Sequence, residues 1–388
     1  MKRLLFVHDH YFNQYKGTIY SQKFPTTILN RYLKVFDELT VWGRLKKVDK
    51  KPQNMSVSIG PSISFVFGKN ISGLRNYYMN YNSEKERLGK LVQNANAVIV
   101  RLPSEYGLMA IQLAELLKIP YGVEVVGCAW DSYWNYGSLQ AKIYAPIAYI
   151  RMKKAVATSD FIVYVSKNFL QNRYPPKKVA TVTNISNVEI LQPTEEVLSS
   201  RVKRIKTQKQ TITFGTIGSL KTRYKGIHIA IKAMATLDNV DFEYRILGAG
   251  DTAFYESIAK KFRVDRRVKF DGNLPAGELV FEWLDNIDIY IHPSLTEGLP
   301  RAVIEAMSRG CPVLASAAGG TPEVVNKRWL HKPGDYNELG GQMKRMLSSE
   351  KTMLQEARVN FETSKHYRKD KLEKKRDKFL MDILESIE

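Results

Sequence analysis

Cysteine is scarce. Only Cys128 and Cys311 occur in 388 residues, too few for a disulfide framework, so a reducing compartment is the simpler reading. Long apolar runs are missing too. No segment approaches the ~18 uncharged apolar residues of a membrane span. The most apolar stretch, Ile143 to Met152, holds Pro146 and runs into Lys153 and Lys154. The opening ten residues have an apolar core too short for a signal peptide. Acid is in deficit: 39 Asp plus Glu stand against 59 Lys plus Arg, a net charge of +20. Such an excess attracts anionic partners, whether nucleic acid, an anionic membrane surface or phosphorylated small molecules. No RNP, zinc-finger or heptad-plus-basic pattern supports nucleic acid.

Apolar residues make up 44% of the chain, enough for a full core. They fall into short β-branched runs alternating with longer helical stretches. In the first half, strands are expected at Leu4–Val7, Leu39–Trp42, Ala97–Val100, Tyr121–Val126 and Phe161–Val165, with helices near 84–94, 106–118 and 140–158. The second half repeats the plan. Strands are expected at Ile212–Ile217, Phe242–Leu247, Val268–Phe270, Ile287–Ile291 and Pro312–Ala315, with helices near 226–237, 252–262, 276–285, 301–309, 321–326 and 336–348. Strands separated by helices imply βαβ units and parallel sheets. The fold class expected is therefore α/β, with two Rossmann-like doubly wound domains facing each other across a cleft. Gln192 to Gln210 reads as a linker or hinge. The tail from Ser364 reads as a charged helix with Leu372, Phe379, Leu380, Ile383 and Leu384 on one stripe. The expected division is an N-terminal domain over 1–195, to which the helix 364–388 returns, and a C-terminal domain over 205–363.

Ligands of doubly wound sheets sit beyond the carboxyl ends of the strands, so the loops there carry the candidate chemistry. After the strand 287–291 comes His292-Pro-Ser-Leu-Thr-Glu297-Gly298-Leu299-Pro300-Arg301, then good helix to Met307. Pro300 suits a helix start, and the amides of Gly298, Leu299 and Arg301 would form an anion site with the positive helix end. Glu297 precedes that start and Glu305 lies about one and a half turns in. Carboxylates beside an anion site suit a ligand that also offers hydroxyls. The plain alternative is a helix-start acid and a solvated surface acid. After the strand 212–217, Gly218, Ser219, Lys221, Arg223, Lys225 and Gly226 combine close backbone approach with positive charge; a basic surface turn is the plain alternative. Gly248, then Asn273 and Leu274, end the next two strands. Ala318-Gly319-Gly320 precedes a further helix. Each of these alone reads more simply as a tight turn.

Taken together, Glu297, seven residues, then Glu305, inside Ser-x-x-Glu-Gly-Leu-Pro, resembles the second domain of retaining GT-B glycosyltransferases of the glycogen-synthase-like group, family 4. The likeness is strong over about 210–335 and looser in the first half. It implies a nucleotide-diphospho-sugar donor, expected to be a UDP-sugar, and an acceptor that is a saccharide or lipid-linked glycan. By resemblance, Glu305 would hold the ribose hydroxyls. Glu297, Gly298 and Leu299 would meet the donor sugar and diphosphate, and Lys225 would hold the diphosphate. The family arginine six residues before that lysine is Ser219 here, so Arg223 or Lys221 is expected to supply the charge. No Asp-x-Asp occurs in the chain, which argues against the metal-dependent one-domain type, and no metal is expected.

In the first domain the resemblance is carried by Gly17, where the family places a glycine near the diphosphate. The turn after the fourth strand lacks the histidine that many relatives carry beside the reacting carbon, so that role is open; Asp131 is a catalytic candidate for the acceptor side. Trp130 and Trp134 are candidates for stacking on an acceptor sugar, and Arg101 for the acceptor side. Core packing for the tryptophans, a structural ion pair for Arg101 and a mobile-loop role for Gly17 are the plain alternatives. Cys128 reads as a small buried thiol. Basic and aromatic residues over 75–81 and 144–154 allow contact with an anionic membrane, a core helix with a solvated edge being the alternative for 144–154. Cytoplasmic placement is expected, with peripheral contact at the inner membrane face left open. The competing readings are a nucleotide-sugar 2-epimerase of the same fold and a basic nucleic-acid-binding protein.

Overall fold

The β-branched runs do form the strands of two separate sheets. The computed structural model describes residues 1–52, 55–188, 190–207 and 210–387. By contacts the chain divides into two units. One comprises Met1–Trp130, Ile143–Ile185 and the chain from Glu373 on; the other comprises Asp131–Lys142 and Ser186–Leu372.

The first unit carries β1 (Arg3–Tyr15), β2 (Thr18–Ser21), β3 (Glu38–Lys47), β4 (Ser56–Val57), β5 (Ile63–Phe67), β6 (Ala97–Leu102), β7 (Tyr121–Val125), β8 (Phe161–Tyr164) and β9 (Thr181–Asn184). Its parallel body runs β5-β3-β1-β6-β7-β8-β9. The run Leu4–Val7 is fully buried in the middle, as a strand covered on both faces must be. β1 extends eight residues past Val7, further than the apolar run suggested, and folds back antiparallel onto β2. The hairpin turn is Lys16-Gly17, at φ 46 and 81, the left-handed pair that a two-residue turn requires. Short strands β2, β4, β5 and β9 carry too few residues to announce themselves. The helix expected near 84–94 begins ten residues earlier, at Leu74.

The tail helix runs Lys369–Glu385 and packs Phe379, Leu380 and Ile383 against this sheet. Gly122 in β7 makes the seat: a Cβ there would lie 2.6 Å from Ile383 Cδ1 and 2.8 Å from Ile99 Cδ1. Residues 350–364 form a separate helix, Glu350–Ser364, which the charge-rich sequence obscured.

The second unit is all parallel: β10 (Ile212–Ile217), β11 (Phe242–Leu247), β12 (Val268–Phe270), β13 (Ile289–His292), β14 (Val313–Ser316) and β15 (Leu330–His331), in the order β12-β11-β10-β13-β14-β15. The chain order reverses between β10 and β13. That switch point opens a crevice at the strand ends, because successive crossovers leave in opposite directions. The helix expected over 321–326 shrinks to one 3-10 turn, Thr321–Glu323.

The expected hinge at Gln192–Gln210 is corrected. Residues Glu195–Lys206 form a helix of the second unit; Gln208 and Lys209 lie outside the described residues. Arg201 is the reason. Its buried guanidinium donates to the carbonyls of Arg309 (2.9 Å), Leu284 (2.9 Å) and Ile287. The acids Glu195 and Glu196 at the start of this helix and Lys203, Arg204 and Lys206 at its end also suit its dipole. Arg201→Met should cost about 2–4 kcal/mol, since each buried carbonyl loses its donor. A urea titration of the full chain checks this; an unchanged midpoint refutes it.

Candidate functional site

The switch point brings the ends of β10 and β13 together, and with them the residues singled out on either side of 72 positions of sequence. Lys225 lies in a 3-10 turn, Arg223–Lys225, after β10. Its aliphatic stem passes Gly218, and its Nζ donates to Glu297 Oε1 at 2.6 Å. His292 Nε2 stands 3.0 Å from the same oxygen, and Ser294 Oγ donates to it at 2.8 Å. Three donors thus converge on Oε1, while among the described residues no hydrogen bond reaches Oε2. The Glu297 side chain is 11% exposed and that of Lys225 22%. Burial alone would raise the Glu297 pKa, but the Lys225 ammonium and the His292 hydrogen bond outweigh it and hold the carboxyl well below its usual range. Lys225 keeps ammonium protons beyond the one given to Glu297, so the pair orients a cation without consuming it.

Backbone contacts make the arrangement rigid. Gly226 follows Lys225 at φ +69, and a Cβ there would lie 1.9 Å from the Pro293 carbonyl oxygen. Only glycine lets the β10 and β13 loops touch at that point. Leu295 N donates to Tyr224 O beside it. On the far side, a Cβ at Gly319 (φ +57) would meet the Glu297 carbonyl oxygen at 1.8 Å, and Gly320 N donates to Gly298 O. The glycine pair 319–320 therefore serves as a bed for the Glu297 loop. Gly248 acts alike: a Cβ there would lie 1.9 Å from Gly218 O.

The helix expected after Pro300 is present, Arg301–Ser308. Its N-cap is Pro300, which supplies no side-chain acceptor, so the first-turn amides lack a protein cap. Leu299 is buried, Gly298 half-buried, and Glu305 half-buried on the helix. Glu305 and Glu297 both act electrostatically on Tyr290, which lies fully buried on β13 with its hydroxyl accepting from Ile217 N. Burial first, then the two carboxylates, push that phenol well above its normal range.

None of the hydrogen bonds converging on Glu297 comes from the other sequence candidates. Arg223 is exposed and its guanidinium covers the Phe254 ring at 4.2 Å. Lys221 is exposed, and its amide donates to Ser219 Oγ at 3.3 Å. Asn273 and Leu274 are half-buried after β12. In the first unit, Gly17 sits at the hairpin tip with nothing within 4 Å of a Cβ. Arg101 is packed on Phe24 and ion-paired to Glu124, Nε to Oε2 at 2.7 Å, with Tyr32 donating to the other carboxylate oxygen. It makes the structural ion pair that was the plain alternative. Trp130 packs edge-on to Tyr149. Trp134 is 44% exposed with Lys142 over its ring, and Asp131 is half-buried on the helix Ala129–Trp134. Cys128 is buried, 3.3 Å from the Tyr174 hydroxyl. Sequence reasoning passed over His292 and Ser294. Both lay inside the motif string, and the signal available was their position at the end of a buried strand.

Comparison with known proteins bears on the family and the fold. The family profile described as glycosyl transferases group 1 matches residues 211–349. Protein CapJ of Staphylococcus aureus is 33% identical over 384 residues, covering 98% of this chain and 95% of its own. The amylovoran biosynthesis glycosyltransferase AmsK of Erwinia amylovora is 35% identical over 141 residues, 33% of this chain and 34% of its own. Among solved structures, sucrose-phosphate synthase from Thermosynechococcus elongatus superposes with a TM-score of 0.69 at 14% identity, over 100% of both chains. Anabaena Alr3699/HepE in complex with UDP-glucose gives 0.66 at 14%, over 100% of this chain and 99% of its own.

Proposed function

The chain belongs to the glycosyl transferases group 1 family and is a glycosyltransferase of GT-B fold; from that premise we propose that it is a retaining family 4 hexosyltransferase. It moves a sugar from a nucleotide-diphospho-sugar, a UDP-sugar by preference, to a saccharide or lipid-linked acceptor in cell-surface polysaccharide synthesis. The names of relatives in colanic acid and amylovoran biosynthesis support the product class, and neighbours solved with UDP and UDP-glucose support the donor.

The observation that carries the reading is the convergence of Lys225, His292 and Ser294 on one oxygen of Glu297 beside an uncapped helix start. Cleaving the bond from the sugar's anomeric carbon to the diphosphate oxygen leaves negative charge on that oxygen. Lys225 and the first-turn amides of helix 301–308 would stabilise it, and preorganised charge of this kind is usually the largest catalytic contribution. Glu297 Oε2 would accept from a sugar hydroxyl, and Glu305 from the ribose hydroxyls. The acceptor hydroxyl would attack from the face the diphosphate leaves, passing its proton to the departing phosphate oxygen. No general base is then required of the protein, and the positive charge a metal would bring comes from the lysine and the helix.

Glu305→Gln should weaken binding of the preferred donor about 10- to 100-fold, the worth of one or two charge-assisted hydrogen bonds. Calorimetric titration against UDP-, GDP- and ADP-sugars both identifies the donor and measures the loss. Equal affinity in wild type and variant would remove Glu305 from the site.

A further inference from the structure

The helix Leu139–Thr158 is apolar on two opposite faces. Ala145, Ala148, Met152 and Val156 are buried. At 100° per residue the other side carries Ile143, Ile147 and Ile150, which are 67, 50 and 64% exposed. A helix apolar all round belongs in an interior, yet this one covers only half its surface. The same helix contains no acidic residue, and it carries Lys142, Arg151, Lys153 and Lys154. Arg151 is held by Glu105 at 2.8 Å, while Lys142, Lys153 and Lys154 are exposed. The helix Leu74–Asn94 runs nearby, its Tyr81 within electrostatic reach of Arg151, and it exposes Arg75, Tyr78 at 87% and Met79 at 68%.

We propose that this helix face is a docking surface for an anionic lipid bilayer, with Ile143, Ile147 and Ile150 entering the acyl boundary and Lys153 and Lys154 pairing with headgroup phosphates. The charge favours that occupant. The helix carries four bases and no acid of its own, and of these Arg151 alone is matched by the neighbouring Glu105, on a chain of net charge +20, so the face complements an anionic surface and repels a second copy of itself. The width favours it too. A single row of isoleucines is narrow beside the roughly 800 Å² per side of a stable protein interface, whereas a bilayer takes up an amphipathic helix face to a depth of about 5–10 Å. The surface lies on residues distinct from the donor cluster, so a negative result here leaves the donor reading standing.

The test is co-sedimentation of the full chain with phosphatidylcholine vesicles, with and without phosphatidylglycerol, together with its mass in solution. Wild type should bind the anionic vesicles, weakly or not at all the neutral ones, and run as a monomer. Ile143→Ser/Ile147→Ser/Ile150→Ser should lower binding by at least about tenfold. Lys153→Gln/Lys154→Gln should lower it about fivefold per charge and flatten its salt dependence. Both variants alter exposed positions, so their thermal unfolding and their donor affinity should match wild type. No binding by wild type, or equal binding by the isoleucine variant, overturns the proposal. So does a dimer that the isoleucine variant converts to monomer, since a second copy would then be the cover.

Discussion

Lys225→Met is expected to lower turnover about 10²- to 10³-fold, the cost of removing one preorganised charge from a developing oxyanion. The effect should fall on kcat more than on the donor KM, because the charge on the bridging oxygen grows as the bond breaks. Lys225→Arg should recover part of it. The same substitution leaves Glu297 as a buried acid without its counter-ion. Neither side chain is more than a third exposed, so about 1–3 kcal/mol of stability is at stake. In the wild type the folded-state pKa of Glu297 is depressed. Its stabilisation is therefore fully present above the unfolded carboxyl value of about 4.3 and fades as pH falls through the lower folded value. Without Lys225, less opposes the burial contribution, which raises the pKa. The variant should then begin losing stability at a higher pH than wild type. Turnover within about threefold of wild type would show that Lys225 is not the diphosphate cation.

The second large effect is expected from a methyl group. Gly226→Ala places a Cβ 1.9 Å from the Pro293 carbonyl oxygen and forces φ +69 on a residue that resists it. The left-handed backbone costs about 1–2 kcal/mol by itself. The clash is with backbone, so the β10 and β13 loops must part. Lys225 stands on one side of that contact and Glu297 on the other, and a displacement of about 1 Å costs about 10²-fold in rate. Gly272→Ala is the matched control: its φ is +72, yet a Cβ there meets nothing within 4 Å. It should lose stability without losing comparable activity. Equal activity losses in the two variants would show that strain alone, rather than loop contact, governs the site.

The motif Glu297-x7-Glu305, the lysine after β10 and the turn-rich strand ends were all readable because each is a local pattern: an apolar strand, a polar turn, a helix start. The roles of the glycines were not. Gly248 and Gly319 each read as part of a tight turn, and the structure fills the space beside them with the carbonyls of Gly218 and Glu297. Missing Cβ atoms announce a close approach without saying what approaches. Arg101 likewise sits at a strand end where ligands gather, but burial against Phe24 and its pairing with Glu124 tie it down. Polar composition made 192–210 look like a linker, and only the seat for Arg201 among four distant residues turned 195–206 into a helix of the second unit.

By itself the sequence determined the class of fold, the order of the strand-and-helix units and the two acids on either side of a helix start, since period and capping act over a few residues. Tertiary structure alone decided which oxygen of Glu297 is occupied, which cations reach it and which face of helix 139–158 the chain leaves uncovered. Those outcomes depend on pairings such as Lys225 with Glu297, where a reversal of strand order brings together residues that the chain holds far apart.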